Sequence, residues 1–230
     1  MLTDPVRIVL PAPPVRRDEI LRYARCPRPS AADLALMEEC LSEAAAPGVL
    51  RYEAVALRCP FEAEGAACRF PGAEVSSRAL AKHLRGCREA FLFGCTVGVG
   101  ADVLIRRYGS VSPAKGLMMQ AIGAERVESL CDLLCGRFCE EVRGEGSALT
   151  RRYSPGYGDL PLSFQTDLFR ILPLGRIGLT LNAGMMMSPS KSVTAVAGIV
   201  PAGMDRGDEN AAHAGCASCA SADCPYRNDR

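Results

Sequence analysis

Tryptophan is absent from the 230 residues, aromatics make up only 6% of them, and histidine occurs twice. With His83 and His213 alone, the chain is poorly supplied for hydrolytic triads and for His-rich zinc catalysis. Neither sign of charge is in surplus: 27 basic residues face 26 acidic ones, for a formal net charge of +1. A dedicated nucleic-acid binder draws its affinity from a basic surplus and aromatic stacking, and both are missing here. Long apolar runs are missing too. The longest, Ala90 to Ala101, is far short of the ~20 residues that cross a bilayer. The start, Met1-Leu2-Thr3-Asp4-Pro5-Val6-Arg7, lacks the basic, apolar and small-residue regions of a signal peptide. These absences lead us to expect a cytoplasmic protein without a membrane or nucleic-acid partner, its cysteines held as thiols or metal ligands.

What is present is an ordinary globular composition, 48% hydrophobic and 23% charged, with an unusual 12 cysteines. Residues 1–17 form a proline-rich extended lead-in, since Pro5, Pro11, Pro13 and Pro14 oppose a helix. Short helices are expected over Asp18–Arg25, from the cap Ser30 to about Pro47, between Ser76 and Gly86, and over Ser163–Leu172. The strongest helical signal starts at Ser112-Pro113 and runs to about Val142, as one helix or as two broken near Gly123. Strands are expected at Leu50–Leu57, Glu89–Val97, Ile177–Leu181 and Ser192–Val200. Helices and strands mix without strict alternation, which indicates an α+β fold in residues 1–200. Residues 201–230 contain no Val, Ile, Leu or Phe and form a separate cysteine-bearing tail that cannot build a core.

Within that tail, Cys216 and Cys219 make a C-x2-C pair and Cys224-Pro225 follows, a spacing suited to zinc or an iron–sulfur cluster. Redox thiols and a tail with no bound metal are the alternative readings. Cys131, Cys135 and Cys139 recur every fourth residue and read mainly as small hydrophobes on a buried helix face. Cys95 reads as core, whereas Cys59 and Cys68 flank a loop and their spacing decides nothing. The glycines of Phe93-Gly-Cys-Thr-Val-Gly98-Val-Gly100 read mainly as a tight strand-to-helix turn; the alternative, a nucleotide cradle or the first motif of common methyltransferases, lacks the acidic residue that a ribose needs further on. Ala81-Lys-His83-Leu-Arg-Gly86 contains an H-x-x-G fragment, but Ala81 stands where a cobalt-ligating His would need an orienting Asp. The stretch Arg151-Arg152-Tyr153-Ser154-Pro155-Gly156-Tyr157-Gly158-Asp159-Leu160-Pro161 is too rich in Gly and Pro for regular structure. It nevertheless carries guanidinium and phenol groups of the kind that ordered binding loops display.

Arg152-x-x-x-Gly156-Tyr157 resembles the RxxxGY motif of the S-adenosylmethionine-binding activation domain of cobalamin-dependent methionine synthase. Ile177-Gly178-Leu-Thr180-Leu, Met185-Met-Met-Ser-Pro189 and Lys191-Ser-Val-Thr194 are similar to that family's later strand-turn-strand, and Ala124–Leu134, with Glu128 and Asp132, to its acidic helix. The likeness covers about residues 90–200. It implies helices around a curved, mostly antiparallel sheet. It also implies a protein that presents S-adenosylmethionine to a cobalamin held by a methyltransferase or corrinoid protein. There, one electron from a donor such as flavodoxin or ferredoxin, with the sulfonium methyl, restores methylcobalamin from cob(II)alamin. By the same resemblance Arg152 holds the methionine carboxylate and Glu128 a hydroxyl or ammonium. The backbone around Ser154 and Gly156 takes the adenosine side, and Tyr157, the candidate catalytic side chain, faces the corrin. Two departures stand out: Ser154 replaces the family's Ala, and Ala195-Val-Ala-Gly-Ile199 replaces an aromatic-rich segment. The chain looks like the short free-standing relatives that end in a cysteine cluster, a methyltransferase component not active alone. The alternative is a non-catalytic scaffold that binds a corrinoid protein and holds zinc in its tail.

Overall fold

The computed structural model describes residues 4–203. Its centre comes from the most apolar segments of the sequence, which form β2 (Glu53–Pro60), β6 (Glu89–Thr96) and β10 (Ser192–Pro201). Two edge strands, β1 (Val6–Val9) and β7 (Ser147–Leu149), complete a five-stranded, curled antiparallel sheet in the order β1-β2-β6-β10-β7. Alternate side chains point to opposite faces, and both faces are covered along the middle of these strands, where the residues are mostly apolar. Ala90, Leu92 and Val196 enter one core, while Phe91, Phe93, Cys95, Ala195 and Ala197 enter the other.

The second core lies under α5 (Pro113–Arg143), a single 31-residue helix begun by Pro113 at its first turn. Register explains the close approach. Phe93 stands opposite Ala195 and Ala56, and Phe91 opposite Ala197. Large rings flanked by small neighbours leave room for Phe138, which stacks on Phe91 at 4.1 Å and meets the edge of Phe93 at 5.8 Å. The helix is not broken at Gly123. A Cβ there would lie 3.0 Å from two carbons of the Lys191 stem, so the glycine serves that crossing. The N-terminal half of α5 also packs against α1 (Arg17–Tyr23), α2 (Ala31–Ala44) and α4 (Gly100–Val111). Ser30 caps α2 through a reciprocal box with Asp33, as its position predicts.

On the opposite face lie α3 (Arg78–His83), α6 (Phe164–Ile171) and a small sheet of β3 (Glu62–Glu64), β4 (Ala67–Phe70) and β5 (Ala73–Ser76). That meander corrects the reading of the segment around Cys59 and Cys68 as loop. Its strands are only three or four residues long, too short for a periodic signal. Ser77, rather than Ser76, caps α3. The proline-rich lead-in is extended as expected, but it contributes β1 because Val6–Val9 pair with Glu53–Ala56. The strand expected at Ile177–Leu181 is instead a 3-10 turn, Leu174–Ile177, followed by β8 (Thr180–Leu181), which pairs with β9 (Met187–Ser188). Gly178 ends the turn with φ of +76°, which a continuous strand could not accommodate.

The cysteines of the body are largely core thiols. Cys59, Cys68, Cys95 and Cys131 are buried, and Cys135 and Cys139 are half-buried. Burial pushes the thiols of Cys59 and Cys135 up to about 12 and that of Cys68 up to about 11, so none is a ready thiolate. Gly98, at φ of +82°, turns the chain into α4, and a side chain at Gly100 would run into the Val49 carbonyl. No helix among the described residues is long and apolar enough to cross a membrane.

Candidate functional site

The Gly/Pro-rich stretch after β7 is ordered by three anchors. Tyr153 exchanges backbone hydrogen bonds with Val196 of β10, its N–H donating at 2.8 Å and its carbonyl accepting at 2.9 Å. Asp159 accepts from the Ser77 hydroxyl at 2.5 Å and from the backbone N–H groups of Arg78 and Ala79 at 2.9 and 3.1 Å, tying the far end of the loop to the start of α3. His83 Nε2 lies 2.7 Å from the Arg151 carbonyl, and its ring packs 5.0 Å from that of Tyr153. His83 is thus a brace for the loop. Between the anchors, Tyr157 N–H donates to the Ser154 carbonyl at 3.2 Å across Pro155 and Gly156. Proline second and glycine third, the latter at φ of +91°, is the arrangement of a type II turn. The next turn is closed by Leu160 N–H on the Tyr157 carbonyl at 2.9 Å. Tyr157 stands at the corner the turns share and is 60% exposed.

Pairing of Tyr153 with β10 decides where Arg152 goes. Successive side chains on an extended segment alternate: Tyr153 packs on the α3 face, so Arg152 points to the α5 face. There Glu128 and Asp132, four residues apart on one helix face, both meet its guanidinium. Arg152 Nη2 donates to Glu128 Oε2 and Nη1 to Asp132 Oδ1, each at 2.5 Å. The other Asp132 oxygen lies 3.0 Å from Arg16 Nη1, an ion pair. Burial works against the Arg152 charge, but the surrounding acidic groups, Glu128 and Asp132 among them, outweigh it and raise its pKa. The charges of Glu128 and Arg152 also act on the Tyr157 phenol. Beneath this cluster Cys131 and Cys95 place their sulfurs 3.4 Å apart.

No protein-family model matches the chain, and no curated protein does. Among solved structures it is similar to the crystal structure of the MetH reactivation domain bound to AdoHcy. That similarity has a TM-score of 0.59 at 15% identity and covers 86% of this chain and 79% of the other. The fold is that of the MetH reactivation domain.

Within this reactivation-domain fold, Arg152, Glu128, Ser154, Gly156 and Tyr157 come from one loop and the helix beside it, and Arg152 meets Glu128 directly. Sequence reasoning assigned no role to Asp159, Arg16 or the bracing His83, because each acts across more than 60 residues: the separations are 82, 113 and 68. Ala195–Ile199, in place of an aromatic-rich segment, is the middle of β10 and is buried. The side chains of the cluster are partly open to solvent: Arg152 is 27% exposed, Glu128 34% and Asp132 47%. Open clefts of about 400 Å³ each lie elsewhere, one against Arg78, Lys82 and Arg85 and one against Thr166, Phe169 and Met185. Among the described residues no group of three or more His, Cys, Asp or Glu side chains is placed to hold a metal. Cys216, Cys219 and Cys224 lie outside the described residues.

Proposed function

We propose that this protein binds S-adenosylmethionine at the Arg152 cluster and presents it to a cobalamin carried by a partner methyltransferase, most readily methionine synthase. The observation that carries this reading is the meeting of the motif arginine with Glu128 beside the exposed Tyr157, within the fold of a domain solved with AdoHcy. The residues suit such a ligand. Arg152 offers a planar donor pair for a carboxylate and Glu128 an acceptor for an ammonium. The backbone of Ser154–Gly156 offers polar groups at a turn where a Cβ on Gly156 would meet only Leu162, at 3.5 Å. The open surface leaves the reacting end of the ligand free to face a partner's cofactor, and Tyr157 would abut the corrin.

The ligand would supply an electrophilic sulfonium methyl: with one external electron the partner's cob(II)alamin would take the methyl as methylcobalamin, and S-adenosylhomocysteine would leave as the thioether. The chain's own residues bind and orient the amino-acid end and shield one side of the ligand. In this reading residues 1–200 are the activation unit, residues 201–230 a tail whose Cys216, Cys219 and Cys224 hold an iron–sulfur cluster or zinc, and the protein works in the cytoplasm. Calorimetric titration with S-adenosylmethionine tests it. Wild type is expected to bind, and Arg152→Ala to lose at least the ~1.5–3 kcal/mol of a charged hydrogen bond. Absence of binding by the wild type would refute the reading and leave the scaffold alternative. Visible absorption of anaerobically purified protein tests the tail: stoichiometric zinc without an iron–sulfur band would end any role of the tail in electron delivery.

A further inference from the structure

Asp132 stands apart from the other members of the cluster because it bridges guanidinium groups from distant parts of the chain. Its Oδ1 is 2.5 Å from Arg152 Nη1, and its Oδ2 is 3.0 Å from Arg16 Nη1. Arg16 is itself held firmly. Its backbone N–H donates to Glu125 Oε1 at 3.1 Å, and its Nε donates to Ser129 Oγ at 3.1 Å. Glu125 is fully buried, so this anchor does not move with solvent. A carboxylate with one oxygen on each of two guanidiniums is the arrangement in which an arginine pair would hold a ligand's carboxylate. Here the protein supplies that carboxylate itself.

We propose that Asp132 is an internal stand-in for the carboxylate of the ligand, and that Arg16 is the second guanidinium of the carboxylate subsite. This rests on the S-adenosylmethionine reading above. With Asp132 in place, Arg16, Arg152, Glu128 and Asp132 sum to zero charge. When its side chain swings into water the remainder is +1, matched to an incoming carboxylate. Asp132 is the more exposed acid, at 47% against 34% for Glu128, so the move uncovers no buried charge. Glu128, which contacts Arg152 but not Arg16, stays to receive the ammonium of the same amino-acid group. An α-amino acid needs both signs at once, and only displacement of the bridging acid leaves both. Binding is therefore an exchange of one carboxylate for another, and Asp132 sets its threshold.

The test is calorimetry on the full chain with S-adenosylmethionine and with its decarboxylated analogue, on wild type, Asp132→Asn and Arg16→Gln, with thermal melts to confirm folding. Asp132→Asn is expected to bind S-adenosylmethionine about fivefold tighter, since it removes an internal competitor worth a strong half-exposed ion pair. Binding of the analogue, which carries no carboxylate, should change less than twofold. Arg16→Gln is expected to weaken S-adenosylmethionine about tenfold and the analogue little. Unchanged or weaker binding by folded Asp132→Asn, with a wild type that binds, would overturn this proposal alone. The same holds if Arg16→Gln weakens both ligands equally. A wild type that binds neither ligand would overturn the functional reading and this proposal together.

Discussion

The most demanding test of the fold concerns a charge pair that no surface argument would place where it is. Glu125 and Arg126 are adjacent on α5, with side chains 0% and 4% exposed. Arg126 donates to both Glu125 oxygens, at 2.6 and 2.7 Å, and to the carbonyls of Pro13 and Pro14 at 2.7 and 2.8 Å. Those carbonyls belong to the lead-in, so the pair straps the N-terminal segment to the long helix. Arg126→Met keeps most of the volume but leaves the buried Glu125 charge with only the Arg16 N–H and the Ser129 hydroxyl as close donors among the described residues, and removes the donors for the proline carbonyls. Breaking a buried pair from one side costs about 3–5 kcal/mol. In urea denaturation, with an m-value of ~3 kcal/mol/M for a chain of this size, the midpoint should fall by about 1–1.7 M. Glu125→Leu/Arg126→Met removes both charges and should recover at least half of that loss, because an apolar replacement of a buried pair is often neutral. A loss below about 1 kcal/mol for the single variant, or a double variant less stable than the single, would refute the reasoning.

Other consequences are equally direct. Phe138→Ala empties the space over Phe91 and Phe93 and should cost about 3–5 kcal/mol of unfolding free energy, read from the same denaturation curves. The loop anchor Asp159 gives a pH signature. Its hydrogen bond from Ser77, with those from the backbone of α3, holds its carboxyl below the ordinary value of 3.8. A depressed folded-state pKa contributes stability above the unfolded value and loses it as pH falls through the folded one. The melting-temperature gap between wild type and Asp159→Ala should therefore be constant at neutral pH and close as pH drops from about 5 toward about 2. A gap independent of pH would assign the loss to something other than this carboxylate.

Much of the framework was legible because its causes are local. Ser30 and Asp33 cap α2 within one turn, and Pro113 starts α5 where a missing N–H costs nothing. The apolar runs of β6 and β10 announce strands covered on both faces. What misled sequence reasoning was equally local in origin: β3 to β5 are too short to show alternation, and Gly178 breaks what composition alone reads as a strand. The loop around Arg152 declared itself by its composition and by its resemblance to RxxxGY.

Sequence by itself determined most of the helices, the three central strands, the mixed α+β class and the loop that carries Arg152, Gly156 and Tyr157. Tertiary structure decided what those residues touch. Arg152 faces Glu128 and Asp132 because Tyr153 takes a register on β10, and Arg16 reaches Asp132 because a buried Glu125 holds the lead-in against α5. Capping and periodicity act over a few residues and can be read along the chain. Strand register, burial of charge and the sharing of one carboxylate by distant arginines exist only once the chain has returned on itself.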